Sequence, residues 1–152
     1  MREGLTIMKK PKRVLCFILG TRPEIIKVFP LIAEVVKRKI PYEIIHTGQH
    51  HSKVLQSEIW KDLKLPKITY KINLKKVKNN SSGAVLGEMI EKLSFYFQKD
   101  SQDKRIIIVQ GDTNSTLAGA LVANKLKIPL VHVEAGFRSH LKIQPEEMNR
   151  IL

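Results

Sequence analysis

The sequence is short of acids, of aromatic residues and of cysteine. Against 27 Lys and Arg it sets 14 Asp and Glu, a net charge of +13, and it carries one Cys, one Trp and 6% aromatic residues. One cysteine cannot make an intrachain disulfide, so an apolar core has to hold the 152 residues together. Cys16 stands inside an apolar run, where a packed core thiol in a reducing cytoplasm is expected. No apolar stretch reaches the length of a membrane span, and the longest are broken by Lys, Glu or Pro. The first residues, MREGLTIMKKPKR, are basic but have no apolar signal core. Residues 1–11 therefore read as a flexible leader, with Met8 as an alternative start, and 12–152 as one domain. The excess of cations would suit a nucleic acid, a membrane surface or an anionic small molecule. Much of it comes from Lys61, Lys64, Lys67, Lys71, Lys75, Lys76 and Lys78, with no aromatic residues interleaved for base stacking. A solvated surface is the reading there, with neither nucleic acid nor membrane as partner. Also missing are a GxGxxG fingerprint, a Walker loop and any metal-ligand spacing, so no cofactor and no metal are expected.

What is present is a regular alternation. KRVLCFIL (Lys12–Leu19) reads as a buried strand, and Gly20-Thr21-Arg22-Pro23-Glu24 as the turn into a helix that runs to about Arg38. Thr21 and Glu24 have capping-box spacing, and Pro23 falls in the first turn, where its missing N–H costs nothing. The turn at Gly20 is expected to expose helix-terminal N–H groups to an anion such as phosphate. Tyr42–His46 reads as a second strand ending in Thr47-Gly48-Gln49-His50. A helix over Lys53–Leu63, a short strand over Ile68–Leu74 and a helix over Ala84–Gln98 follow. RIIIVQ (Arg105–Gln110) is a buried strand that stops at Gly111-Asp112-Thr113; a helix over Thr116–Lys127 then leads to a buried strand at Pro129–Val133. Such alternation predicts an α/β doubly wound parallel sheet, with the polar turns gathered at the carboxyl ends of the strands.

One stretch concentrates the chemistry. PLVHVEAGFRSHLKIQPEEMNR (Pro129–Arg150) brings Glu134, Glu147, Arg138 and Arg150 to a strand end and a helix start. Paired acids there suit proton transfer and arginines suit an anion. Each residue also has a plainer account. Asp112 could cap the following helix, Glu147 could answer a helix dipole, and Lys27 could be a solvated helix residue. His50 and His51 could be loop-surface residues, and His132 a hydrogen-bonded core histidine.

Five motifs in order, GTRPEIIKVFP (Gly20–Pro30), TGQH (Thr47–His50), GDTNSTLA (Gly111–Ala118), HVEAGFRS (His132–Ser139) and PEEMNR (Pro145–Arg150), resemble the non-hydrolysing UDP-N-acetylglucosamine 2-epimerases. The resemblance implies the Rossmann-like N-terminal half of a glycosyltransferase-B-like two-domain fold, with the C-terminal UDP-binding domain absent from these residues. It further implies reversible inversion at carbon two of UDP-N-acetylglucosamine, by elimination and re-addition of UDP, for cell-surface polysaccharide precursors. By it, Asp112, Glu134 and Glu147 take the catalytic proton transfers. Arg22, Lys27, Gln49, His50, Arg138 and Arg150 bind substrate or hold carboxylates, and the full-length protein is a homodimer. His51-Ser52-Lys53 departs from the Arg and Met that follow TGQH in many bacterial members, which puts activation by substrate in doubt. Two other classes remain open: a glycosyltransferase of similar shape and a non-catalytic basic binding module.

Overall fold

In the computed structural model the described residues are 13–49, 53–74, 82–98, 104–138 and 147, the side chains of 53–57 and 82 excepted. The leader at 1–11 and the loop at 75–81 lie outside them. Five parallel strands, β1 (Val14–Leu19), β2 (Tyr42–His46), β3 (Tyr70–Lys71), β4 (Arg105–Gln110) and β5 (Leu130–Val133), form one sheet in the order β3-β2-β1-β4-β5. Between them come α1 (Arg22–Lys37), α2 (Lys53–Asp62), α3 (Ser82–Gln98) and α4 (Asn114–Lys125). The chain steps one way from β1 to β2 and β3, then returns to β4 and steps the other way to β5. Right-handed crossovers that run in opposite directions place their helices on opposite faces.

The strands divide their side chains accordingly. Phe17, Leu19, Ile44 and Ile108 pack with Ile25, Val28, Ile32 and Val35 of α1. Cys16, Ile18, Ile107 and Val109 pack with Met89, Leu93 and Phe97 of α3 and with Ala118 and Val122 of α4. Period-two alternation is hidden in such strands because both faces are apolar. Helix α4 lies unusually close to the sheet: a Cβ on Gly119 would stand 2.8 Å from Val109 Cγ1 and 2.9 Å from Ile18 Cδ1. Cys16 is fully buried, and desolvation pushes its thiol well above the ordinary range, as expected of an inert core cysteine. At the far end of the sheet from the polar turns, Arg105 donates to Glu43 at 3.2 Å, tying the start of β4 to β2.

Three departures from expectation have a physical reason in the sheet and its caps. Helix α4 begins at Asn114, two residues before Thr116, because the Thr113 hydroxyl caps it. Strand β3 is confined to Tyr70–Lys71, since its partner β2 ends at His46, whose carbonyl accepts the last bond of this pairing from Ile72 N. Strand β5 is not buried: it pairs with β4 alone among the described residues, and Val131 is 45% exposed. An apolar run cannot by itself tell a central strand from an edge strand.

Candidate functional site

Because every pairing is parallel, the turns after β1, β2, β4 and β5 meet at one edge. Strand order reverses between β1 and β4, so the Gly20 and Gly111 turns flank the crevice where doubly wound folds bind ligands.

Glu24 joins those two turns. Its carboxylate is fully buried and accepts from Gly20 N at 2.7 Å, from Thr21 N, and from the Thr113 hydroxyl across the crevice. Burial raises its carboxyl above the ordinary value, against the lowering effect of those hydrogen bonds. The capping box read at Thr21 and Glu24 is present, with a reach the spacing did not indicate. The N–H groups of Gly20 and Thr21 are thereby spent on an internal carboxylate. The start of α4 is closed in the same way. Thr113 Oγ1 accepts from Thr116 N at 3.2 Å, and Gln49 Oε1 accepts from Ser115 N at 3.1 Å. Ser115 Oγ donates to Gln49 Oε1 at 2.9 Å, so Thr47 Oγ1 supplies the proton of its 2.8 Å bond to Ser115 Oγ.

Glu134 and Lys27 are brought together, their ion pair measuring 2.8 Å between the turn after β5 and helix α1. Gln110, the last residue of β4, donates its amide to the same Glu134 oxygen. Glu134 stands at φ +63°, a left-handed conformation uncommon outside glycine and frequent at functional turns. Asp112 is half-buried in the turn after β4, whose last residue, Gln110, lies opposite Val133, the residue before Glu134. Thr113, and not Asp112, is the cap of α4, and Asp112 makes no hydrogen bond or ion pair among the described residues. Arg22 is exposed at the first turn of α1. The Arg138 guanidinium grips no carboxylate among the described residues and donates to the carbonyls of Ala135 and Phe137 at 2.8 and 2.7 Å. Five donors on a long stem let it close its own turn first. His132 donates from Nε2 to Gly111 O at 2.7 Å, the structural role read for it. Glu147 is half-buried; His50, His51 and Arg150 lie outside the described residues. Among the described residues no three His, Cys, Asp or Glu stand together as a metal site, and no helix is long and apolar enough to cross a membrane.

Sequence reasoning did not single out Gln110, Thr113, Thr47 or Ser115. Gln110 had one signal, a polar side chain closing an otherwise apolar strand. The hydroxyls fall within the TGQH and GDTNSTLA motifs, but nothing local names their partners, which are up to 89 residues away.

Comparison with known proteins bears on the same residues. The family model described as UDP-N-acetylglucosamine 2-epimerase matches residues 34–152. The UDP-N-acetylglucosamine 2-epimerase of Methanocaldococcus jannaschii is 45% identical over 138 residues, 91% of this chain and 36% of the relative. The UDP-2,3-diacetamido-2,3-dideoxy-D-glucuronate 2-epimerase of Pseudomonas aeruginosa is 38% identical over 136 residues, 89% of this chain and 37% of the relative. The crystal structure of the Methanocaldococcus jannaschii enzyme with UDP-GlcNAc and UDP superposes with a TM-score of 0.82 at 44% identity, covering 91% of this chain and 37% of that one. The chain thus spans about a third of the length of the curated relatives it matches.

Proposed function

Given that the chain belongs to the UDP-N-acetylglucosamine 2-epimerase family, we propose that it forms the acid-bearing wall of a site that interconverts UDP-N-acetylglucosamine and UDP-N-acetylmannosamine. The observation that carries this reading is the Lys27–Glu134 pair at 2.8 Å, which sets a cation and a carboxylate together at the sheet edge where the Asp112 turn also ends its strand. The hydrogen on carbon two of the sugar has no adjacent carbonyl to acidify it. A carboxylate removes that proton while the bond from carbon one to the diphosphate oxygen breaks, and UDP leaves with the electron pair. Re-addition of UDP to the resulting glycal, with a proton delivered to carbon two from the opposite face, inverts the centre. Asp112, Glu134 and Glu147 are the candidate proton carriers, and Arg22 and Lys27 stabilise the departing diphosphate. Gln49 keeps its amide N–H for substrate while its oxygen holds Ser115. On the family resemblance, His50, Arg138 and Arg150 complete the substrate contacts, and the longer protein works as a cytoplasmic homodimer. UDP-N-acetylglucosamine is preferred over the diacetamido-glucuronate because the relative named for it is the more similar, 45% against 38% identical.

The test joins this chain to the remaining portion of the Methanocaldococcus jannaschii relative and follows deuterium at carbon two of UDP-N-acetylglucosamine in heavy water by NMR. Exchange with formation of the mannosamine epimer is expected, falling at least ~100-fold in Glu134→Gln and in Asp112→Asn. A folded chimera that exchanges nothing overturns the proposal. The 152 residues alone are expected to bind UDP weakly and to turn over negligibly.

A further inference from the structure

The geometry points to Gln110 as the positioning residue of Glu134, holding that carboxylate in place when Lys27 is drawn away to an anionic ligand. The inference rests on the reading of Glu134 as a proton carrier and adds what keeps it aimed.

Two donors meet on one oxygen, Glu134 Oε2: Lys27 Nζ at 2.8 Å and the Gln110 amide. They are unlike. Lys27 is a half-exposed ammonium on a flexible four-carbon stem, with 50% of its side chain accessible, and a diphosphate arriving beside Arg22 competes for it directly. Gln110 is 3% exposed, uncharged, and sits in the last position of β4 opposite Val133, the residue before Glu134. Its backbone is fixed in turn, since Gln110 O accepts from the Thr116 hydroxyl at 2.6 Å. The neutral amide has little to gain from a diphosphate and stays where it is.

Glu134 needs such a hold. Its φ of +63° opens a turn closed by a 3.3 Å bond from Phe137 N to Glu134 O, and its side chain has no further hydrogen-bond donor among the described residues. Were Lys27 the sole anchor, the ligand that calls on Glu134 would release it at the moment of use. With Gln110 present, Oε2 remains tethered and Oε1 is left to take or give the proton. Lys27 is then free to serve the ligand, and Gln110 sets the direction of the carboxylate.

Two arms test this. In the 152-residue chain, the Glu134 carboxyl carbon is followed by NMR, assigned through its loss in Glu134→Gln. Lys27→Met imitates withdrawal of the ammonium. The resonance is expected to stay single and ordered in Lys27→Met, and to average toward that of a solvated glutamate when Gln110→Leu is added. An ordered resonance in the double variant overturns the inference. In the chimera, Gln110→Leu is expected to lower kcat by about 10- to 100-fold with KM within about threefold, whereas Lys27→Met raises KM. Gln110→Glu, close to isosteric, sets a second carboxylate against Glu134, and its activity is expected to recover as pH falls and one of the two takes a proton. A purely structural role would give no such recovery. A Gln110→Leu kcat within threefold of the parent overturns the inference. An inactive parent chimera would sink the epimerase reading instead, and the NMR arm would still decide the role of Gln110.

Discussion

Gly20 carries no side chain because two hydroxyls occupy the space one would fill. A Cβ there would stand 2.1 Å from Thr47 Oγ1 and 2.2 Å from Ser115 Oγ, and 3.1 Å from Gln49 Cβ. The Thr47–Ser115–Gln49 chain of hydrogen bonds runs over this glycine, so the penalty is steric and also breaks a buried polar network. Gly20→Ala is expected to destabilise the chain by about 1–3 kcal/mol in urea unfolding. It should also weaken UDP binding in the chimera by loosening the turn that presents Arg22. Sequence alone marked Gly20 as a turn and suggested a phosphate nest. The reason for the glycine lies in residues 27 and 95 positions further on, which no local pattern reports. Glu24 is a similar case: its capping role was legible from Thr21 three residues before it, its bond to Thr113 was not.

At the scale of elements, the two helices that start at the crevice are tied to each other before any ligand arrives. Thr113 does two jobs, capping α4 through Thr116 N and donating to Glu24 at the start of α1. Thr113→Val removes a helix cap and one hydrogen-bond donor from a buried carboxylate. The expected loss is about 1–3 kcal/mol. Thr113→Ser keeps both bonds and is expected to stay within about 0.5 kcal/mol of the parent, measured by the urea midpoint. The bounds of β2 and β4, the end of β1 and the start of α1 were readable because apolar periodicity, Gly20 and the capping box act locally. The exposure of β5 among the described residues and the brevity of β3 were not, because strand length and exposure depend on what lies alongside.

Acid stability belongs to the whole molecule, and one buried group gives it a definite sign. His46 is 2% exposed, accepts from Gly48 N through Nδ1 at 3.1 Å, and has no partner for Nε2. Burial, and secondarily the Lys71 ammonium, push its imidazole from 6.5 down to about 4. Above about pH 6.5 it is neutral whether the chain is folded or not, and its contribution is fully present. As pH falls toward 4 the unfolded chain takes up a proton that the folded chain resists, so stability drops by at most about 3 kcal/mol. Glu24, raised by burial, acts with the opposite sign, so the difference between parent and His46→Gln isolates the histidine. That variant is expected to show a flatter decline of unfolding free energy between pH 6.5 and 4 than the parent; parallel curves would sink the assignment.

The sequence by itself determined the alternation of strands and helices, the single core cysteine, and the carboxylates and cations placed at strand ends. These follow from periodicity, turn chemistry and composition, all of which act over a few residues. The tertiary structure decided which of those residues meet. It set Lys27 and Gln110 on one oxygen of Glu134, tied Thr113 to Glu24 and seated Gln49 on Ser115. Those outcomes depend on sheet order and register, which bring together groups 24 to 107 residues apart. Pairings at that range are fixed by how whole elements pack, and no window along the chain contains both partners.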